Sequence, residues 1–476
     1  MRVSIRLRVM VLCLALSAGC SQIDDRSSPD SVRDTPGPIG AEFSKPSMDA
    51  PQLAYWGDFP VGVRQLEFVD ANRPDYLDID PETGAPVNKD RLIDALIWYP
   101  AIEDDQRASD AVYTRRFVQD PAWPMPDFPT EWQTSGAAIT DAQPIAGTKF
   151  PVVLLIHGWG GNEVSLAYLG ENLASKGYIA ISPDLRDVEP DDPQVFELLF
   201  PRAMLNRAQD IRFIADEIEA KADEPDALLG AIANPDSFAI IANSLGGLGA
   251  VRVAGAGYQA ASPGAGWVPG NLLGDQTEGA ENSSEFLLPE LDALVLIAPW
   301  GAQDGVSLFS DEALSRVDVP LMVIAGDQDS IAGYETGPRR IYRQSRSPEK
   351  YLLAFHNAGH AMTPGVFPPE ADDYAYGATA TRDPVWRSEA IAMVQQHFVS
   401  GFLDAVIRND QDARRLIQPD VSLSNDGIWP DSQDNKPGMF AEAGTADASY
   451  WPGFQRGRAR GLQLEFEFNE PSQLIE

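Results

Sequence analysis

Between residues 56 and 408, short apolar runs alternate with stretches whose apolar positions recur every three to four residues. The runs at 63–69, 93–99, 152–156, 178–182, 238–242, 293–298, 321–325 and 351–355 predict eight strands. Val152-Val153-Leu154-Leu155-Ile156 is apolar at every position. A strand of that kind is expected where both faces of a sheet are covered. Segments 164–176, 203–220, 245–255 and 385–407 carry the helical period between these runs. The alternation predicts right-handed βαβ units and a mostly parallel, eight-stranded α/β sheet with helices on both faces.

Three stretches interrupt the pattern. Residues 101–148 are long, irregular and rich in Pro and Trp, and residues 255–289 form a Gly-, Ala- and Asn-rich insertion. Residues 187–201 begin acidic and end in Phe196-Glu197-Leu198-Leu199-Phe200. Long loops of this kind wall pockets or decorate a surface. Their aromatics Trp123, Trp132, Trp267 and Phe200 are candidate walls for an apolar pocket, or simply packing residues. Beyond residue 408 the chain turns polar, so 409–476 reads as a carboxyl-terminal extension. The alternating Leu462-Gln463-Leu464-Glu465-Phe466-Glu467-Phe468 predicts one further strand there.

The amino terminus bears on compartment. Arg2, Arg6 and Arg8 precede an apolar stretch from Val9 to Ala18, too short to span a bilayer as a helix. Leu16-Ser17-Ala18-Gly19-Cys20 resembles a bacterial lipoprotein processing site. That resemblance implies a signal peptide over 1–19, a lipid on Cys20, and a membrane anchor in the cell envelope. Ser21, rather than Asp, after the Cys implies the outer membrane; an ordinary secretory signal and a secreted soluble protein is the alternative. Residues 20–55, rich in Ser, Asp, Pro and Gly, read as a flexible tether leading to a domain over 56–408. Cys13 and Cys20 are the only cysteines. With Cys13 in the segment to be removed, no disulfide, thiol nucleophile or cysteine metal site is expected.

Charge narrows the partners. With 71 acidic and 36 basic residues, the chain has a net charge of -35, which disfavours nucleic acid. Only seven residues are Lys, so Arg supplies most of the positive charge. Two readings stay open: a well-solvated surface, or adaptation to a salty medium that screens the self-repulsion.

The strand at 238–242 ends in Asn243-Ser244-Leu245-Gly246-Gly247. An apolar run broken by a serine between small residues, followed by a helix, drives one hydroxyl into a sharp, exposed turn. A serine hydroxyl needs a base, and the base needs a group to hold it. Four histidines are available. His157 ends a strand, and His397 lies inside a helical pattern. His356 and His360 follow the last strand, and His360, on a loop after Gly359, is the preferred base over His356. Ala325-Gly326-Asp327-Gln328-Asp329 ends the preceding strand, with Asp329 the first choice for the acid and Asp327 the alternative. The order Ser244, Asp329, His360 is that of one triad arrangement among several. His157-Gly158-Trp159-Gly160-Gly161 offers a tight turn for an oxyanion, with the N–H groups of Trp159 and Leu245 as candidate donors. No Lys stands where a phosphate loop needs one.

These segments, with Gly177-Tyr178-Ile179-Ala180-Ile181-Ser182-Pro183-Asp184, resemble the α/β-hydrolases. Trp98-Tyr99-Pro100 and Arg207-Ala208-Gln209-Asp210 resemble the branch holding platelet-activating-factor acetylhydrolases and dienelactone-hydrolase-like proteins. Two departures stand out: Ser244 replaces the cysteine of dienelactone hydrolases, and Ala242 replaces the first Gly of Gly-x-Ser-x-Gly. The resemblance implies an α/β-hydrolase fold and a cofactor-independent serine hydrolase acting on a small-molecule, lipid or polyester ester. A peptidase or amidase on the same triad, or a non-catalytic envelope lipoprotein, remains as an alternative.

Overall fold

The computed structural model describes residues 37–102, 110–117, 128–188, 196–225, 227–373, 381–429 and 449–469. Cys20, the expected signal peptide and Trp123 lie outside them. Among the described residues one mixed sheet holds eleven strands. They are β1 (Val61–Ile79), β2 (Pro86–Pro100), β3 (Asp110–Arg116), β4 (Glu131–Thr140), β5 (Phe150–Ile156) and β6 (Ile179–Pro183). After these come β7 (Ala233–Asn243), β8 (Leu291–Ile297), β9 (Leu321–Gly326), β10 (Glu349–Phe355) and β11 (Leu462–Phe468). The spatial order is β11-β10-β9-β8-β7-β5-β6-β2-β1-β4-β3. From β6 to β10 every pairing is parallel, so the carboxyl ends of β5, β7, β9 and β10 share one edge. That edge is where an open α/β sheet binds ligands.

The continuous apolar runs have the expected cause. Val152, Leu154 and Ile156 of β5 pack into one layer with Met204, Ile211, Leu248 and Val251, from helices Phe196–Ala222 and Leu245–Val253. Val153 and Leu155 enter the opposite layer with Leu169, Leu173, Phe398 and Phe402, from helices Ala167–Ser175 and Ser388–Ile407. The last of these is apolar enough to cross a membrane by length and composition, yet most of it is buried in the fold.

Eleven strands replace the expected eight. The eight expected runs are all strands, the further strand expected at 462–468 is β11, and β3 and β4 are additions. In β3 the burial alternates, with Ala111, Tyr113 and Arg115 facing inward. An inward Arg and an outward Val112 hide that alternation from a hydrophobicity pattern. Arg115 is tolerated inside because Glu42 accepts two hydrogen bonds from it, at 2.8 and 2.7 Å. The helix expected from residue 203 begins at Phe196 and carries Pro201 within it, a residue that reads as a boundary.

Both domain limits also shift. Residues 37–55, expected as a tether, are packed. Glu42 holds Arg115, Leu53 N–H donates to His397 Nδ1 at 3.1 Å, and Gln396 donates to Phe43 O at 2.9 Å. At the other end β11 pairs with β10 along its whole length, from Leu462 opposite Phe355 to Phe468 opposite Glu349. Trp451 is buried against Phe398 and Phe454. The segment expected as an extension therefore completes the sheet edge and one core layer.

Candidate active site

Strand β7 runs through the buried centre of the sheet and ends at Asn243. Ser244 follows with φ 47° and ψ −116° and leads directly into helix Leu245–Val253. A positive φ is costly for a side-chain-bearing residue and is a mark of a strained, functional turn. Two glycines make the turn sterically possible. A Cβ on Gly246 would stand 2.7 Å from His157 O and 2.8 Å from Ile156 O. One on Gly158 would stand 2.7 Å from Asn243 Oδ1 and 3.1 Å from Ser244 Cβ. Ala242, by contrast, is simply absorbed into the core, which explains why Gly is not required there.

Ser244 Oγ lies 2.9 Å from His360 Nε2, and His360 Nδ1 lies 2.7 Å from Asp329 Oδ2. Asp329 is buried, and its other oxygen accepts the N–H groups of Ile331 and Ala332 at 2.9 and 2.8 Å. The carboxylate is thereby aimed before any substrate binds. The alternative acid and base form a separate pair: His356 Nδ1 meets Asp327 Oδ2 at 2.9 Å. His397 is buried in the long helix, and burial pushes its imidazole down to about 3.

Asp383, which carries no recognisable motif, also serves the site. Its Oδ2 accepts Gly359 N–H at 2.7 Å, and its Oδ1 accepts Val385 and Trp386 N–H. It ties down the loop that presents His360. Only its position 23 residues after His360, unrelated to any strand end, identifies it, so sequence offered no signal.

The turn His157–Gly161 passes beside Ser244, as the close approach of Gly158 requires. Neither Trp159 N–H nor Leu245 N–H has an acceptor among the described residues. Leu245 opens a helix, where the first N–H groups have no intrahelical partner. Both donors are thus available on the two segments that flank the hydroxyl.

Aromatic groups crowd the surroundings. Trp159 packs on Phe196 and Phe200, and Phe200 touches Trp267 and Trp300. Trp300 N–H donates to Ser244 O at 3.0 Å, so this cluster is anchored to the Ser244 turn. A cleft of about 200 Å³ is lined by Arg116, Phe117, Trp132, Trp159, Asn243 and Phe367. Trp132 lines this cleft, while Phe200 and Trp267 belong to the aromatic cluster, and Trp159 is common to both.

One acidic trio among the described residues, Asp216, Glu219 and Glu290, brings carboxylate oxygens within 4.8 Å of one another. Arg212 already pairs with Asp216 and Glu290, at 2.7 and 2.6 Å. The cluster lies on the helix and loop remote from the strand ends that carry Ser244 and His360.

Residues 136–272 match the model of the dienelactone hydrolase family. That span contains the His157–Gly161 turn and Ser244 and stops short of Asp329 and His360. No curated protein matches the chain. Among solved structures it is similar to a ferulic acid esterase from Streptomyces cinnamoneus, at 20% identity and a TM-score of 0.48. That alignment covers 78% of this chain and 94% of the other. The sheet order, the helices on both faces and the family segment together define an α/β-hydrolase fold.

Proposed function

We propose that this chain is a serine hydrolase of carboxylic esters. The observation that carries the reading is the unbroken relay from Ser244 Oγ through His360 to Asp329, at 2.9 and 2.7 Å. The match to a hydrolase family over the segment holding Ser244 supports it.

In this reading His360 Nε2 takes the hydroxyl proton as Ser244 attacks the acyl carbon. Asp329 keeps the imidazole proton on Nδ1 and stabilises the cation that forms. The carbonyl oxygen becomes an oxyanion and accepts from Trp159 and Leu245 N–H. His360 then protonates the leaving alcohol, and water, activated by the same base, frees the acyl group. The aromatic walls favour esters with an apolar or aromatic portion.

Replacing Ser244 by Ala removes the nucleophile and leaves the buried strand intact. Turnover of chromogenic acyl esters is expected to vanish, with an unchanged circular dichroism spectrum. Near-wild-type rates in the Ser244→Ala protein would refute the assignment. Aminoacyl anilides assayed in parallel separate an esterase from an amidase on the same triad.

A further inference from the structure

The turn beside Ser244 is held from the interior by three side chains to which the proposed reaction gives no part. Leu185 N–H donates to His157 Nε2 at 3.0 Å. That nitrogen is therefore the unprotonated one of a neutral ring. The ring proton is on Nδ1, which lies 2.7 Å from Gly158 O. Burial, and next the Arg207 cation, hold this imidazole below its ordinary pKa and keep it neutral. Arg207 Nη2 donates to the same carbonyl at 3.3 Å and to Asp187 Oδ2 at 2.7 Å. Asp187 Oδ2 also accepts Gly160 N–H at 2.9 Å.

The consequence follows from peptide geometry. A trans peptide unit is planar, so its C=O and N–H point in opposite directions. Gly158 C=O and Trp159 N–H belong to one such unit. Gly161 N–H, at 3.2 Å, closes the turn on Gly158 O, and the two side-chain donors draw the same oxygen inward, which turns Trp159 N–H outward. The Gly160–Asp187 bond pins the chain on the far side of Trp159.

Stability alone is a poor reason for this arrangement. The Arg207 and Asp187 side chains are each only 1% exposed. A buried ion pair seldom outperforms a well-packed apolar pair, because desolvation offsets the attraction.

We propose that Arg207, Asp187 and His157 are positioning residues that preorganise the Gly158–Trp159 peptide as an oxyanion donor. This rests on the ester-hydrolase reading above. An oxyanion donor is worth about 100- to 1000-fold in rate when correctly aimed. A donor that has lost its brace but not its N–H should forfeit part of that.

The experiment compares wild type with Arg207→Met, Asp187→Asn and the double variant on an aryl ester and its thionoester, in which sulfur replaces the carbonyl oxygen. Arg207→Met is expected to lower kcat for the ester about 10- to 100-fold with KM little changed. The preference for ester over thionoester should shrink, because sulfur makes poor use of the donor. The double variant should lose little more than either single one, since the pair acts as a unit. Arg207→Lys keeps the charge but not the planar fork, and is read in place of Arg207→Met if that variant does not fold. An unchanged kcat, or a lowered kcat with an unchanged ester-to-thionoester ratio, would overturn the proposal. A wild-type protein inert to esters would instead overturn the reading beneath it.

Discussion

At the residue scale, the site turns on two nearly identical acid–imidazole pairs. Asp327 and His356 form one, while Asp329 and His360 form the other. The acids lie two positions apart in sequence and the histidines four. What distinguishes them is burial and partner. Asp329 is enclosed, is fixed by two backbone N–H groups, and reaches a histidine that reaches Ser244. Asp327 is partly exposed, and its other oxygen accepts Asn357 N–H at 2.6 Å, which shapes the loop. Asp329→Asn should lower kcat by about 10⁴, by releasing the imidazole tautomer. Asp327→Asn should leave kcat within about threefold of wild type. Steady-state kinetics on one ester tests both, and equal losses would show that the two pairs act together.

At the element scale, helix Ser388–Ile407 joins two segments distant in sequence through His397. Its Nδ1 accepts Leu53 N–H from the amino-terminal segment, and its Nε2 faces Leu416 O at 3.3 Å. The tautomer is therefore N–H at Nε2, and a second proton would meet the Leu53 N–H donor. Burial lowers the pKa first, Leu416 O opposes that, and the Lys176 cation lowers it further, to about 3 from 6.5. The sign follows. Below about 6.5 the unfolded chain binds a proton that the folded chain refuses, so stability falls with falling pH. His397→Gln should be less stable at neutral pH yet lose less on acidification. Between about pH 6 and pH 4 its stability slope should be shallower by up to about 1.4 kcal/mol per pH unit. Urea unfolding across that range measures it, and parallel curves would show that His397 does not titrate on unfolding.

At the scale of the whole molecule, a net charge of -35 governs solubility and the response to salt. Many of the cations are already engaged. Asp210 binds both Arg73 and Arg91, Glu278 binds Arg316, and Glu349 binds Arg414. The excess acids are left to repel one another across the surface. Screening shortens that repulsion from about 10 Å at 0.1 M salt to about 3 Å at 1 M. The melting temperature should therefore rise between those concentrations, and esterase turnover should persist at the higher one. A melting temperature that falls with salt would mean that the ion pairs outweigh the repulsion.

Some of this was decided locally and some was not. Nine strands, four helices and the serine turn are legible because each depends on neighbours within about ten residues. An all-apolar run has to be covered on both faces, and a serine between small residues at its end has to turn sharply. Order along the chain likewise placed Ser244, Asp329 and His360 at the ends of strands that lie parallel. The tertiary structure decided whatever depends on a distant partner. Strand β3 needs Glu42 to bury Arg115, and the place of β11 in the sheet, though not its existence, needs β10, more than a hundred residues upstream. Which aspartate serves which histidine is a matter of ångströms between loops. So is the brace under Trp159, where Arg207 and Asp187 meet a turn that contains neither of them.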